Sequence, residues 1–246
     1  MDASKFGWAF RYGWYDFLRP SNFDESMREA VAAMELRPGQ RALDAGCGSG
    51  LSLLYNHGWL RAGGHLTLVD IDEGGLAVAR QRAQRLGVGE QVEPHRRDMT
   101  KLHELELKPF DAVLAHFSVY AIATNEGRRT AVSQLARLVR PGGRLVIAVP
   151  SEHYRAEPLM ADARRAEAVR TDVSPLLRAL RTRLVYPITT WGISNVERAM
   201  DQGRFHRYTE RELHEHLESA GLGDIRISPT YGGCGYRAVA RLAAAA

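Results

Sequence analysis

The chain has 246 residues, of which 45% are hydrophobic and 25% are charged, the balance of an ordinary globular protein. This length predicts one α/β domain with a sizeable core and room for an inserted cap. The chain has no apolar run near the roughly 18 residues of a membrane helix and no apolar signal segment at its start, so we expect a cytoplasmic protein without a membrane partner. A net charge of +4 is too small to predict a nucleic-acid partner. The two cysteines, Cys47 and Cys234, form neither a disulfide framework nor a zinc site.

The start of the chain is crowded with aromatic residues whose spacing fits neither a regular helix nor a regular strand. They are Phe6, Trp8, Phe10, Tyr12, Trp14, Tyr15 and Phe17. Two interpretations stay open: an arm packed on the core, or a lid that closes over a ligand and excludes water. Residues 21–34 then predict a helix, so we treat residues 1–35 as an N-terminal aromatic lid or arm.

The sequence Leu-Asp-Ala-Gly-Cys-Gly-Ser-Gly over residues 43–50 follows a predicted strand and precedes a predicted helix. Alternating glycines at this point allow a ligand to approach the backbone closely. The spacing differs from the G-x-G-x-x-G of dinucleotide folds, and the lysine of an ATP-binding P-loop is missing. Asp44 would repel a phosphate, whereas it suits a ligand that carries an ammonium group.

An acid followed by three alternating glycines after a strand resembles motif I of the class I S-adenosylmethionine (SAM)-dependent methyltransferases. The stretch Leu-Val-Arg-Pro-Gly-Gly over residues 138–143 resembles a structural segment of the same family. The resemblance covers about residues 40–150 and 206–242. It implies SAM as the cofactor and a Rossmann-like α/β fold. In that fold, a seven-stranded, mostly parallel sheet with one reversed strand has helices on both faces. We expect this core over residues 36–150 and 206–246, interrupted by an inserted substrate cap over residues 151–205.

The resemblance also assigns cofactor-binding residues. The loop that carries Asp44, Gly46, Gly48 and Gly50 would wrap the methionine part of SAM. An acid at the tip of the second strand can accept both ribose hydroxyls, which assigns Asp70. The remaining assignments are Ile71 against the adenine ring, Asp98 at the adenine amino group, the Met99 amide at a ring nitrogen, and His116 lining the cofactor through its backbone.

Catalysis in this family is mostly alignment of an acceptor with the methyl–sulfur bond, and a base is needed only when the acceptor is protonated. The candidates are His116, Tyr120, His153 and His206, and no spacing singles out one of them. We read residues 151–205 as one or two cap helices, with a loop from Tyr186 to Asn195 over the pocket. The sequence has no acidic or histidine cluster that would call for a metal.

The expected function is methyl transfer from SAM to the O, N or C atom of a small molecule. Residues 115–118 read Ala-His-Phe-Ser. Enzymes that methylate the amino groups of bases or glutamine carry Asn/Asp-Pro-Pro-aromatic at this position, so the sequence argues against that substrate class. Three alternatives stay open: a SAM-using enzyme that releases methylthioadenosine by aminobutyryl transfer or ring closure, an RNA or protein methyltransferase, and a non-catalytic SAM-binding module. The protein could be a monomer or a homodimer.

Overall fold

The computed structural model describes residues 18–171 and 173–244. The aromatic residues at 6–17 of the predicted lid or arm lie outside this range. The described chain forms one seven-stranded sheet with helices on both faces. The strands are β1 (Arg41–Ala45), β2 (His65–Asp70), β3 (Val92–Arg96), β4 (Phe110–His116), β5 (Val139–Pro150), β6 (Gly223–Thr230) and β7 (Gly235–Arg241).

Eight α-helices accompany the strands within the described residues. They are α1 (Ser21–Ala33), α2 (Leu53–Arg61), α3 (Glu73–Arg85), α4 (Asn125–Arg137), α5 (Ala156–Ala168), α6 (Pro175–Leu180), α7 (Tyr186–Asp201) and α8 (Glu210–Ser219). A π-helical segment, Arg181–Val185, joins α6 to α7. None of these helices is long and apolar enough to cross a membrane.

The strand order is β3-β2-β1-β4-β5-β7-β6. Strands β1 to β5 are mutually parallel, and β7 runs antiparallel to both β5 and β6. The predicted fold class, a mostly parallel Rossmann-like sheet with one reversed strand, is therefore confirmed. The chain leaves β1 toward β2 on one side and returns to β4 on the other. This reversal opens a crevice at the carboxyl ends of β1 and β4, where α/β proteins bind their ligands.

Two apolar layers sandwich the sheet, because successive side chains of a strand point to opposite faces. One layer joins α1, α2 and α3 to the sheet through residues such as Met27, Leu53 and Leu76. The other joins α4 and α8 to the sheet through Leu135 and Leu213. The predicted helix over residues 21–34 is confirmed as α1, and its apolar residues Met27, Ala30 and Val31 are buried in the first layer.

Local sequence signals define several helix ends. Asp72 caps α3 by accepting a hydrogen bond from the Gly74 amide, and Thr209 caps α8 by accepting one from the Glu212 amide. Gly221 follows α8 with φ +82°, the left-handed conformation that glycine adopts at low cost. These short-range interactions depend on neighbouring residues alone, so they can be predicted from the sequence.

The predicted loop from Tyr186 to Asn195 is wrong, because these residues belong to α7. Pro187 lies in the first turn of α7, directly after the π-helical segment, within a helical run that begins at Pro175. Tyr186, Thr189 and Ile193 are buried at helical spacing on the inner face of α7. The apolar period therefore outweighs the proline and the polar residues that follow it.

A buried carboxylate holds the inserted helices to the first helix. Glu167 of α5 is 1% exposed and accepts a hydrogen bond from the Tyr186 hydroxyl at 2.9 Å. The guanidinium of Arg181 lies 3.3 Å from the same carboxylate. The Tyr186 hydroxyl oxygen also lies 3.1 Å from Ser21 Oγ at the start of α1. Glu167 thus connects α5, the π-helical segment, α7 and α1.

We predict that Glu167→Ala lowers the free energy of unfolding by about 3 kcal/mol, because it leaves the half-buried Arg181 without its carboxylate. Chemical denaturation would measure the loss, and limited proteolysis should show earlier cleavage within residues 151–205. Glu157→Ala is the matched control, since Glu157 is exposed on the same helix. Equal stability of the two variants would contradict the anchoring role of Glu167.

Candidate active site

The glycine loop after β1 is held against the end of β2. The amides of Gly46 and Cys47 both donate to the Val69 carbonyl, at 2.7 and 3.1 Å. Gly46 and Gly48 have φ angles of +74° and +51°, which side chains rarely tolerate. The loop therefore turns sharply across the carboxyl end of the sheet.

Gly46 also permits a close approach of the β4 exit. A Cβ atom at Gly46 would lie 2.2 Å from the Ser118 Cβ and 3.0 Å from the Met99 Cε. The Ser118 hydroxyl donates to the Ala45 carbonyl at 3.0 Å, which joins the ends of β1 and β4. Gly50 has a different environment, because a Cβ there would meet the Ala79 Cβ at 2.8 Å. Gly50 thus lets α3 pack against the loop.

Asp70 at the tip of β2 braces the same loop with its side chain. One carboxylate oxygen accepts from the Gly48 amide at 2.7 Å and the other from the Asp72 amide at 2.9 Å. Burial raises the pKa of Asp70, and these two hydrogen bonds oppose the rise. The carboxylate keeps lone pairs for further donors, as a ribose-binding acid requires.

Asp44 is a nearly inaccessible carboxyl group beside the loop. It is 2% exposed and accepts a hydrogen bond from the Ser52 hydroxyl at 2.5 Å. Burial raises the pKa of Asp44 to about 7, the Ser52 hydrogen bond opposes the rise, and the charge of Asp70 adds to it. A cationic ligand at this point would offset the cost of the buried charge.

The remaining predicted cofactor residues lie on the neighbouring strand ends. Ile71 is 63% exposed, an unusual position for a large apolar side chain and one suited to covering a flat ring. Asp98 accepts from the amide and hydroxyl of Thr100, both at 2.9 Å, so its carboxylate is partly engaged. Met99 extends toward Gly46.

His116 at the end of β4 points into a buried polar chain. Its Nε2 lies 3.1 Å from the Ser26 hydroxyl of α1, which in turn accepts from the Thr230 hydroxyl at 2.9 Å. Burial lowers the pKa of His116 to about 3, so the imidazole is neutral at physiological pH. This geometry favours a positioning role over proton transfer at the imidazole.

Three aromatic rings that the sequence did not predict form a group beside His116, whose ring contacts Phe23 and Phe117. Phe23, Phe117 and Tyr231 contact one another edge to face or tilted, with centroids 5.1–5.6 Å apart. Phe117 and Tyr231 have φ angles of +47° and +54°, which are uncommon for bulky residues. Such backbone strain is concentrated at functional sites. Tyr231 directly precedes the glycines of the β6–β7 turn, a signal that could have drawn attention to it.

The candidate bases fall into two groups. The His206 amide donates to the Tyr120 carbonyl at 3.1 Å, and His206 Nε2 lies 2.7 Å from the Glu212 carboxylate. A carboxylate that orients an imidazole in this way leaves the other ring nitrogen for a substrate. His153, in contrast, is 71% exposed beside Glu152. The structure therefore brings Tyr120 and His206 together and places His153 at the surface.

We predict that Asp44→Asn raises the free energy of unfolding of the ligand-free protein at pH 8, on the order of 2 kcal/mol. The pKa of Asp44 rises from 3.8 to about 7 on folding, so stability is lost as pH increases through this interval. Asparagine avoids the buried charge and retains an acceptor for Ser52. Denaturant titrations at pH 4 and pH 8 should show the gain shrinking at the acidic pH. A variant less stable than the parent at pH 8 would contradict the assignment.

Comparison with known proteins finds sequence similarity mainly in the part of the core that carries the glycine loop. Residues 42–143 match a family model described as a methyltransferase domain. Over 138 residues the chain is 34% identical to a phosphatidylethanolamine N-methyltransferase of Cereibacter sphaeroides, covering 56% of this chain and 63% of that protein. It is 31% identical over 108 residues to a ubiquinone biosynthesis O-methyltransferase of Hahella chejuensis, covering 44% and 42%. The chain thus spans less than two thirds of these relatives.

Solved structures share the fold over most of the chain. A SAM-dependent methyltransferase from Aquifex aeolicus superposes with a TM-score of 0.61 at 18% identity, covering 94% of this chain and 98% of that one. A magnesium protoporphyrin IX methyltransferase from Synechocystis with bound SAM gives 0.56 at 17% identity, covering 91% and 79%. The matched residues include the β1 loop and the acid at the tip of β2, so this part of the chain is similar to a methyltransferase domain, and the described chain has the Rossmann-like fold of solved SAM-dependent methyltransferases.

Proposed function

We propose that the protein transfers the methyl group of SAM to a small-molecule acceptor. The observation that carries the proposal is the braced loop at the β1–β4 crevice, where Asp70 holds Gly48 and Ser118 holds Ala45. This arrangement offers backbone donors and two acids to a ligand with ribose hydroxyls and an ammonium group. The carboxyl group of the ligand would approach the amides of the loop.

Asp44 would meet the ammonium group of SAM, while Asp70 would accept the ribose hydroxyls. Exposed Ile71 would cover the adenine ring, and the Asp98–Met99 turn would contact its edge. Because the sulfonium is an activated leaving group, the chain's remaining task is alignment of the acceptor with the methyl–sulfur bond. SAM supplies the electrophilic carbon, and the protein supplies orientation.

The acceptor would lie beside the aromatic group formed by Phe23, Phe117 and Tyr231. These rings present apolar faces next to the β4 exit and limit access by water. His206, oriented by Glu212, is the base best placed to take a proton from an acceptor hydroxyl or amine. The named relatives are N- and O-methyltransferases of small molecules, which supports a small-molecule acceptor and leaves its reacting atom open.

We predict that Asp70→Ala weakens SAM binding about 30-fold, which corresponds to about 2 kcal/mol for the loss of hydrogen bonds to a charged acceptor. Isothermal titration calorimetry with SAM measures the change. Asp72→Ala is the matched control. This substitution removes the α3 cap and lowers the free energy of unfolding by about 1 kcal/mol, yet it leaves the ribose acceptor in place. Unchanged SAM affinity in Asp70→Ala would refute the ribose assignment.

The second test identifies which bond of SAM breaks. Purified protein is incubated with SAM alone, and then with SAM and a panel of phenols, amines and activated carbon acids. Mass spectrometry follows the nucleoside products. We predict stable SAM without an acceptor and S-adenosylhomocysteine only when a suitable acceptor is present. If the protein forms methylthioadenosine from SAM alone, the reaction is attack at the aminobutyryl carbon, and the proposal of methyl transfer is wrong.

A further inference from the structure

The inserted helices expose an unusual amount of apolar surface. The described residues contain nine large hydrophobic side chains that are exposed, and seven of them fall within residues 169–191. Leu176 is 81% exposed and Trp191 is 67% exposed. The seven are Val169, Leu176, Leu177, Leu180, Leu184, Ile188 and Trp191. Exposed apolar residues gathered in this way mark an interaction surface, whereas scattered ones are ordinary.

Six of these residues form one stripe along α6, the π-helical segment and α7. Leu180, Leu184, Ile188 and Trp191 follow one another at intervals of three or four residues, so they share one face of a helix. The opposite face of the same segment is buried at Val185 and Thr189. From Leu176 to Trp191 the stripe extends about 22 Å at the rise of an α-helix. We call these six residues the apolar stripe.

Positive charge accompanies the apolar stripe. Residues 173–191 contain Arg178, Arg181 and Arg183 and no acidic residue. Arg178 and Arg183 line a cleft of about 330 Å³ together with Arg164 of α5. The acid in this cleft, Glu167, is already paired with Arg181. The cleft therefore holds three further guanidinium groups between α5 and the segment that carries the stripe.

The apolar stripe and the nearby arginines together favour some binding partners over others. A second copy of the chain packed through the same surface would set one basic stripe against another, because a twofold interface pairs identical patches. Residues 1–17 contain two basic and two acidic residues, so they offer no net charge to complement the arginines. A nucleic acid would complement the arginines and leave the leucines and Trp191 exposed. An anionic lipid bilayer matches both the apolar and the basic parts.

We propose that the apolar stripe seats the protein on an anionic membrane surface. The helix pair would lie in the plane of the interface, with its leucines and Trp191 at the boundary between head groups and acyl chains. Arg164, Arg178 and Arg183 would lie at the level of the lipid phosphates. The inserted segment begins after Pro150, at the carboxyl end of β5. This inference goes beyond methyl transfer and does not depend on it.

Vesicle binding tests the proposal with the full chain. Vesicles of phosphatidylcholine and phosphatidylglycerol at a 4:1 ratio are compared with pure phosphatidylcholine vesicles by flotation. We expect binding to the anionic vesicles at least about tenfold stronger than to the neutral ones, and weaker binding at high salt. Leu184→Ser/Trp191→Ser and Arg178→Gln/Arg183→Gln should each reduce binding at least about tenfold. Leu54→Ser on α2 is the control, since Leu54 is also exposed but lies outside the stripe.

The other outcomes each overturn the proposal in a distinct way. Absence of binding to anionic vesicles, with a concentration-dependent dimer that Leu184→Ser/Trp191→Ser abolishes in analytical ultracentrifugation, would assign the stripe to a second copy of the chain. Vesicle binding that appears only after deletion of residues 1–17 would assign it to the N-terminal segment. Binding that the arginine variant loses and the leucine–tryptophan variant retains would indicate a polyanion site. Thermal unfolding by circular dichroism verifies that every variant is folded.

Discussion

The close packing of the β1 exit against the β4 exit is the constraint on which the site depends. Gly46 lies so near Ser118 that a methyl group would not fit between them. The Ser118 hydroxyl and the Ala45 carbonyl fix the distance between the two strand ends. Asp70 then holds the other side of the loop through the Gly48 amide. A ligand entering this crevice meets backbone amides and acids whose positions are set before binding, which limits the entropy lost on association.

Several features of this preorganised site lower the stability of the folded protein. Asp44 is a carboxyl group almost without access to water, and Phe117 and Tyr231 adopt backbone conformations that bulky residues avoid. Each feature is unfavourable in a protein without a ligand. Buried acid and strained aromatic residues lie at the same end of the sheet as the glycine loop. This concentration of unfavourable features sets the region apart from the apolar layers around it.

The sequence was a good guide wherever the structure depends on neighbouring residues. The glycine loop, the Asp72 and Thr209 caps and the order of strand and helix all rest on short-range chemistry. The aromatic group around His116 could not be predicted, because Phe23 and Tyr231 are separated along the chain by most of the domain. The polar chain from His116 through Ser26 to Thr230 is equally non-local. The helix α7 was missed although its buried residues Tyr186, Thr189 and Ile193 follow helical spacing.

The reversed direction of β7 has a consequence for how such a protein can diversify. Because β7 runs against β5, Gly235 pairs with Pro150, and the β6–β7 turn returns to the carboxyl end of the parallel strands. The last hairpin of the chain thereby delivers Tyr231 to a site whose ligand loops come from the first half of the domain. Changes in the length or sequence of this turn would reshape the aromatic group at Tyr231 while the β1 loop and Asp70 stay as they are. In the proposed enzyme, cofactor use and acceptor choice would thus be encoded in segments that can vary independently.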